Sequence, residues 1–179
     1  IDLTLGDINS DGINDIVASF SGGVLVMQGH PAGGFRDPTI REPIPGLGVI
    51  DIAIGDVNGD GRNDIIGNVW VRDVIAIYPQ LADGTLGSAS FKAASYGELA
   101  VADINNDGRQ DVLLAHTSES QLGVFLQQED GSLAVEDQHT AASTSSNRQA
   151  LAIGDLNNDG FTDAVTGGTN FSVMMNVGN

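Results

Sequence analysis

The residues able to do chemistry in this chain are aspartates, and they come in four copies of one nine-residue pattern. Asp7, Asn9, Asp11, Gly12, Ile13 and Asp15 recur as Asp56, Asn58, Asp60, Gly61, Arg62 and Asp64. They recur again as Asp103, Asn105, Asp107, Gly108, Arg109 and Asp111, and as Asp155, Asn157, Asp159, Gly160, Phe161 and Asp163. Each copy reads D-x-N-x-D-G-x-x-D. Oxygen side chains at alternate positions can curl around one hard cation, and the glycine at the sixth place permits the sharp turn this needs. Three carboxylates, one amide oxygen and the backbone carbonyl of the seventh residue (Ile13, Arg62, Arg109 or Phe161) form a calcium-type donor set. No nitrogen or sulfur donor points to zinc or iron. The expectation is four structural Ca²⁺ ions, one per loop. With three carboxylates each, the loops should bind at roughly micromolar to millimolar Kd, as extracellular modules do. The pattern differs from an EF-hand: its last acid stands at the ninth place, and strand-like runs flank it.

The bulk composition agrees. Half of the 24 acidic residues sit in the four loops, and the formal net charge is −17. Four bound divalent cations would cancel about half of that imbalance. With seven Lys and Arg scattered along 179 residues there is no basic patch, so nucleic acid is excluded as a partner. No apolar run is long enough to span a membrane as a helix. There is no cysteine, hence no disulfide or thiol chemistry. No leader is visible, and the chain opens directly in a strand-like segment, as a mature piece or a fragment would.

The loops must be held by something that repeats with them. Their first aspartates stand at 7, 56, 103 and 155, a period near 50. Each period gives the same reading. A first strand enters the loop (1–6, 49–55, 99–102, 150–154), and a second leaves it (15–19, 64–67, 111–115, 163–166). A third follows a short polar break (24–27, 74–78, 123–126, 172–175). A glycine turn at 33–35, 83–86 and 130–133 leads to a weaker fourth strand. The runs are rich in Val, Ile and Leu and bounded by Gly, Asn and Asp, which predicts strands, and no amphipathic helix is found. The fold class is therefore all-β: four-stranded antiparallel β-propeller blades over 1–48, 49–97, 98–148 and 149–179 of a single domain, the last lacking its fourth strand. A solenoid of stacked hairpins is the alternative.

With their flanks, as in residues 54–67, the loops resemble FG-GAP/VCBS repeats, found in integrin α-subunit propellers, some fungal lectins and many secreted bacterial proteins. The resemblance covers nearly the whole chain. It implies a calcium-loaded β-propeller, usually of seven blades, in a secreted, extracellular or periplasmic setting. It implies no single activity. The truncated last repeat departs from the pattern and predicts part of a larger propeller or an assembly completed by further blades or chains.

In an up-and-down blade the loops and the turns before the fourth strand share one end. The other end collects 21–23, 68–73, 116–121 and 167–170, with the links 43–48, 94–98 and 143–149. Ligand binding is expected there, near Trp70, Arg72, Tyr96 and His116, types suited to sugar stacking or protein hot spots. Packing between blades is the alternative role for Trp70, and a strand-end role for His116. Asp2, Asp51 and Glu98, each five residues before a loop, are either solvent-facing strand starts or a cation site at a channel mouth. No catalytic constellation is found. The reading is a secreted, calcium-stabilised propeller module that binds a carbohydrate or an extracellular protein. The alternatives are an accessory propeller of a secreted polysaccharide-active or lipid-active enzyme, and a purely structural adhesin repeat.

Overall fold

Short β-branched runs cannot bury themselves alone, and here they pair with their sequence neighbours. The computed structural model describes residues 2–41, 48–117, 121–141, 150–168 and 170–178. The first repeat gives β1 (Leu3–Gly6), β2 (Asp15–Phe20), β3 (Gly23–Met27) and β4 (Thr39–Arg41). The second gives β5 (Asp51–Gly55), β6 (Asp64–Val69), β7 (Val74–Tyr78) and β8 (Ser90–Ala93). The third gives β9 (Gly97–Ala102), β10 (Asp111–His116), β11 (Gln121–Phe125) and β12 (Asp137–Thr140). The fourth gives β13 (Ala150–Gly154), β14 (Asp163–Gly167) and β15 (Phe171–Met174). Each repeat is one antiparallel meander in chain order, with four, four, four and three described strands. The expected blades are present.

Boundaries differ from the sequence reading where pairing outlasts hydrophobicity. β6 runs on to Val69 because Asn68 pairs with Asp51 and Ile75. β10 reaches His116 opposite Gly97. β11 starts at Gln121 because that residue pairs with Thr140. A 3-10 turn, Trp70–Arg72, closed by Asp73 at φ +49°, is the one helical element among the described residues.

The chain forms two compact units: 1–56 with 60–95, and 57–59 with 96–179. In the first, Val17, Val24 and Val26 of one sheet pack on Ile52, Ile65 and Ala76 of the next. In the second, Leu113, Leu122 and Val124 pack on Leu151, Ile153 and Ala164. The side chains meeting there lie two residues apart along each strand, as the pleat requires. Amides stitch neighbouring blades together: Asn63 Nδ2 donates to the Asp7 carbonyl at 3.0 Å, and Asn106 Nδ2 to the Gly160 carbonyl at 2.9 Å. Turn glycines let the blades nest. A Cβ on Gly84 would stand 2.9 Å from the Asn9 carbonyl oxygen, and one on Gly131 would overlap the Asn58 carbonyl oxygen.

Candidate metal centres

Each loop is built around its first aspartate. Asp7 Oδ1 accepts the N–H groups of Asn9 and Asp11, both at 3.2 Å, and Oδ2 accepts that of Gly12 at 2.8 Å. Asp56, Asp103 and Asp155 hold Gly61, Gly108 and Gly160 in the same way at 2.7–2.9 Å. The sixth-place glycines sit at φ +79° to +86°, the left-handed region that favours glycine. Asp11, Asp60, Asp107 and Asp159 each accept the N–H of the seventh residue.

Oxygens at the first and third places are drawn to one point. Asp7 Oδ1 and Asn9 Oδ1 accept the same Asp11 N–H, at 3.2 and 3.0 Å. Asp103 and Asn105 converge likewise on Asp107, and Asp155 and Asn157 on Asp159. The donors are all oxygen, and carboxylate oxygens that accept one N–H keep a further lone pair. This set fits a hard divalent cation. The carboxylates do not stand as a closed cage: among the described residues no three acidic, His or Cys side chains cluster as a metal site. In two loops the fifth-place carboxylate is turned onto its own arginine, with Arg62–Asp60 and Arg109–Asp107 contacts of 2.5 Å.

The ninth aspartate is a clasp as well as an acid. Asp15, Asp64, Asp111 and Asp163 are fully buried. Asp15 Oδ2 accepts the Ile8 N–H at 2.9 Å and Oδ1 that of Gly29, just past β3, at 2.8 Å. Asp111 joins Ile104 to Gln127, and Asp163 joins Leu156 to Asn176. Asp64 holds Gln80. The seventh-place arginines reinforce the link: Arg62 Nε donates to the Gln80 carbonyl and Arg109 Nε to that of Gln127, both at 3.0 Å.

These contacts set the acidities. Burial raises the carboxyl of Asp15, opposed by the Ile8 and Gly29 N–H groups and abetted by the charges of Asp11 and Asp7. Asp111 is raised for the same reason, burial outweighing the Gln127 and Ile104 bonds. Asp155 is lowered, chiefly by the Gly160 N–H acting against burial. In Asp7 and Asp107 burial is the largest single influence and raises the carboxyl. The summed hydrogen bonds, with Arg109 beside Asp107, outweigh it and lower both.

Two features escaped sequence reasoning. The fourth place is also left-handed, with Ser10, Gly59, Asn106 and Asn158 at φ +59° to +75°, and the small or amide residues there were its signal. The clasp left no signal, because it joins residues 13 to 16 apart through backbone N–H groups.

At the opposite end of the blades, Arg72 is exposed on the 3-10 turn. Tyr96 is half-buried, and its carbonyl accepts the Thr117 N–H at 2.9 Å. His116 is fully buried, its Nε2 2.6 Å from Glu136 Oε1. The Trp70 side chain lies outside the described residues, as do 43–47, 118–120, 142–149 and Thr169 of the expected ligand-facing segments.

Meandering four-stranded blades, repeated with one acidic loop after each first strand, define a β-propeller repeat protein. The FG-GAP-like repeat model matches residues 7–67 and 103–166, well over half of the chain, and the chain belongs to that family. No curated protein matches it. Among solved structures it is similar to an Agrocybe aegerita lectin described for specific recognition of non-reducing terminal N-acetylglucosamine. That match has TM-score 0.64 and 18% identity over 99% of this chain and 50% of the lectin. It is also similar to part of the Photorhabdus luminescens Tc holotoxin pore, with TM-score 0.57 and 17% identity over 96% of this chain and 8% of the toxin chain. The chain thus spans half or less of these relatives, and the likeness is one of fold.

Proposed function

We infer that this chain is a calcium-stabilised binding module of a secreted protein, with its ligand docking at the blade ends opposite the acidic loops. The observation that carries the calcium reading is the convergence of the first- and third-place oxygens on a single N–H in the loops at 7–15, 103–111 and 155–163. Asp7, Asn9, Asp11, Asp15 and the Ile13 carbonyl would hold the first ion, and their counterparts the other three. The ion would neutralise a loop that joins two core strands, which is a structural role. Modules of modest affinity work where calcium is abundant, which supports an extracellular setting.

The ligand reading rests on loop variation over a repeated scaffold. The acidic loops are nearly constant, whereas the β2–β3 and β6–β7 connections differ in length and the latter carries a 3-10 turn. A carbohydrate is the preferred ligand class, supported by the lectin of similar fold. The test is a glycan array on the calcium-loaded chain, with N-acetylglucosamine-terminated glycans included, followed by Arg72→Ala and Tyr96→Ala. Either variant should lose affinity and keep its melting temperature. Binding that survives both substitutions would place the ligand elsewhere.

A further inference from the structure

In each unit two acidic loops are tied to each other by side-chain amides. In the first, Asn63, the eighth residue of the 56–64 loop, donates through Nδ2 to the Asp7 carbonyl at 3.0 Å. Asp7 is the first-place acid of the 7–15 loop. A second tie runs through Gln80, which is fully buried. Its main chain is held by the 56–64 loop: the N–H donates to Asp64 Oδ1 at 2.9 Å, and the carbonyl accepts Arg62 Nε at 3.0 Å. Its side chain reaches the other loop, with Nε2 donating to Ser10 Oγ at 3.1 Å. The second unit repeats the plan with different residues. Asn106 Nδ2 of the 103–111 loop donates to the Gly160 carbonyl of the 155–163 loop at 2.9 Å. The Asn176 N–H donates to Asp163 Oδ1 at 2.7 Å, and its Nδ2 reaches back to the Ile104 carbonyl at 2.5 Å. Each link joins one loop, or the residue clasped by it, to the other loop.

We propose that Asn63, Gln80, Asn106 and Asn176 are positioning residues that couple calcium uptake in neighbouring loops, so that filling one loop raises the affinity of the other. The inference rests on the calcium reading above. An empty loop of three carboxylates repels itself, and drawing them together costs the entropy of the chain between them. Where the neighbouring loop is already ordered, Asp7 and Ser10 are held from outside and that cost is smaller, which is a coupling between sites. Charge acts with the opposite sign: an ion in one loop weakens the negative field at the other, and salt screens this effect. The sign of the coupling therefore separates the amide links from plain electrostatics.

The test is a calcium titration of the whole 179-residue chain, followed by amide NMR at about 0.15 M salt. Gly12, Gly61, Gly108 and Gly160 each donate to the first aspartate of their own loop, so their signals report the four loops separately. Asp60→Asn weakens the 56–64 loop, as Gly61 records. It should also move the Gly12 transition to higher calcium, by about fivefold or more. Unlinked loops would leave Gly12 where it was, electrostatics alone would move it to lower calcium, and a loosened fold would move all four transitions alike; each result overturns the proposal. Ser10→Gly with Asn63→Ala then removes one partner from each link in the first unit. Ser10 is exposed at φ +60°, which glycine adopts freely, and Gly59 stands at that place in the 56–64 loop. On this background Asp60→Asn should leave Gly12 unmoved, and a shift that persists overturns the assignment of the coupling to these residues. Glycines that ignore calcium, or a Gly61 transition that ignores Asp60→Asn, refute the calcium reading itself and this inference with it.

Discussion

Nε2 of His116 lies 2.6 Å from Oε1 of Glu136, and the two meet diagonally over Gly123 of the intervening strand β11. The imidazole is fully buried and the carboxylate nearly so, with side-chain exposures of 0% and 11%. A Cβ at Gly123 would overlap the carboxylate and stand 2.9 Å from Nε2.

Gly123→Ala should therefore destabilise the chain, although alanine suits a strand better than glycine. Forcing the pair apart should cost about 1–3 kcal/mol, read as a lower urea midpoint with an unchanged slope. A variant as stable as wild type would show that the pair does not need the space.

Asp111→Ala should be worse. It would leave the N–H groups of Ile104 and Gln127 without their acceptor, and each such buried loss costs about 1–3 kcal/mol. The effect should persist in excess chelator, because the clasp acts without an ion. A variant that loses stability only when calcium is present would reduce Asp111 to a metal ligand.

Calcium itself should raise the melting temperature. An ion that binds only the folded chain contributes about 2.7 kcal/mol at a free concentration one hundredfold above Kd. Asp60→Asn should shrink the calcium-dependent rise and change the chelated protein little: Asn keeps an acceptor for the Arg62 N–H, and the lost Arg62 pairing at the surface is worth at most about 1 kcal/mol. Identical melting curves in chelator and millimolar calcium would refute the calcium reading.

Asp155 and Asp111 should titrate on opposite sides of the ordinary aspartate value of 3.8. Asp155 is lowered by the Gly160 N–H, so its stabilising contribution is complete above 3.8 and is lost as pH falls through its folded value. Asp111 is raised by burial, so its contribution runs the other way: present below 3.8 and lost as pH rises through the folded value. Carboxyl-carbon NMR on chelated protein should give a midpoint below 3.8 for Asp155 and above it for Asp111. The reverse order would contradict the hydrogen bonds described here.

The blades were legible because two signals coincide in every repeat: an Asx-Gly loop and an apolar run on each side of it. The fourth strands were legible only as a weaker closing element. β12 is Asp137–Thr140 with every residue exposed, and its pairing to β11 comes from register rather than hydrophobicity. His116 reads as a polar residue at a strand end. Its burial depends on Glu136, a partner 20 residues away, and on a glycine whose role is to be small. The seventh-place residues were chosen for a carbonyl that any residue offers, so the guanidinium links of Arg62 and Arg109 to the end of the third strand had no pattern to announce them.

The nesting of Gly84 against Asn9, and of Gly131 against Asn58, fixes where this molecule can tolerate new sequence. A longer acidic loop would collide with the following turn, and a longer turn with the preceding loop, so the two can change length only in concert. At the far ends of the blades the β2–β3 and β6–β7 connections differ in length, although Gly48 also nests there, its would-be Cβ 2.6 Å from the Ser21 backbone. A lineage acquiring a new specificity, or a designer grafting a peptide, has in the β6–β7 connection a segment that is already lengthened, whereas on the acidic rim a loop and the turn it meets must change together.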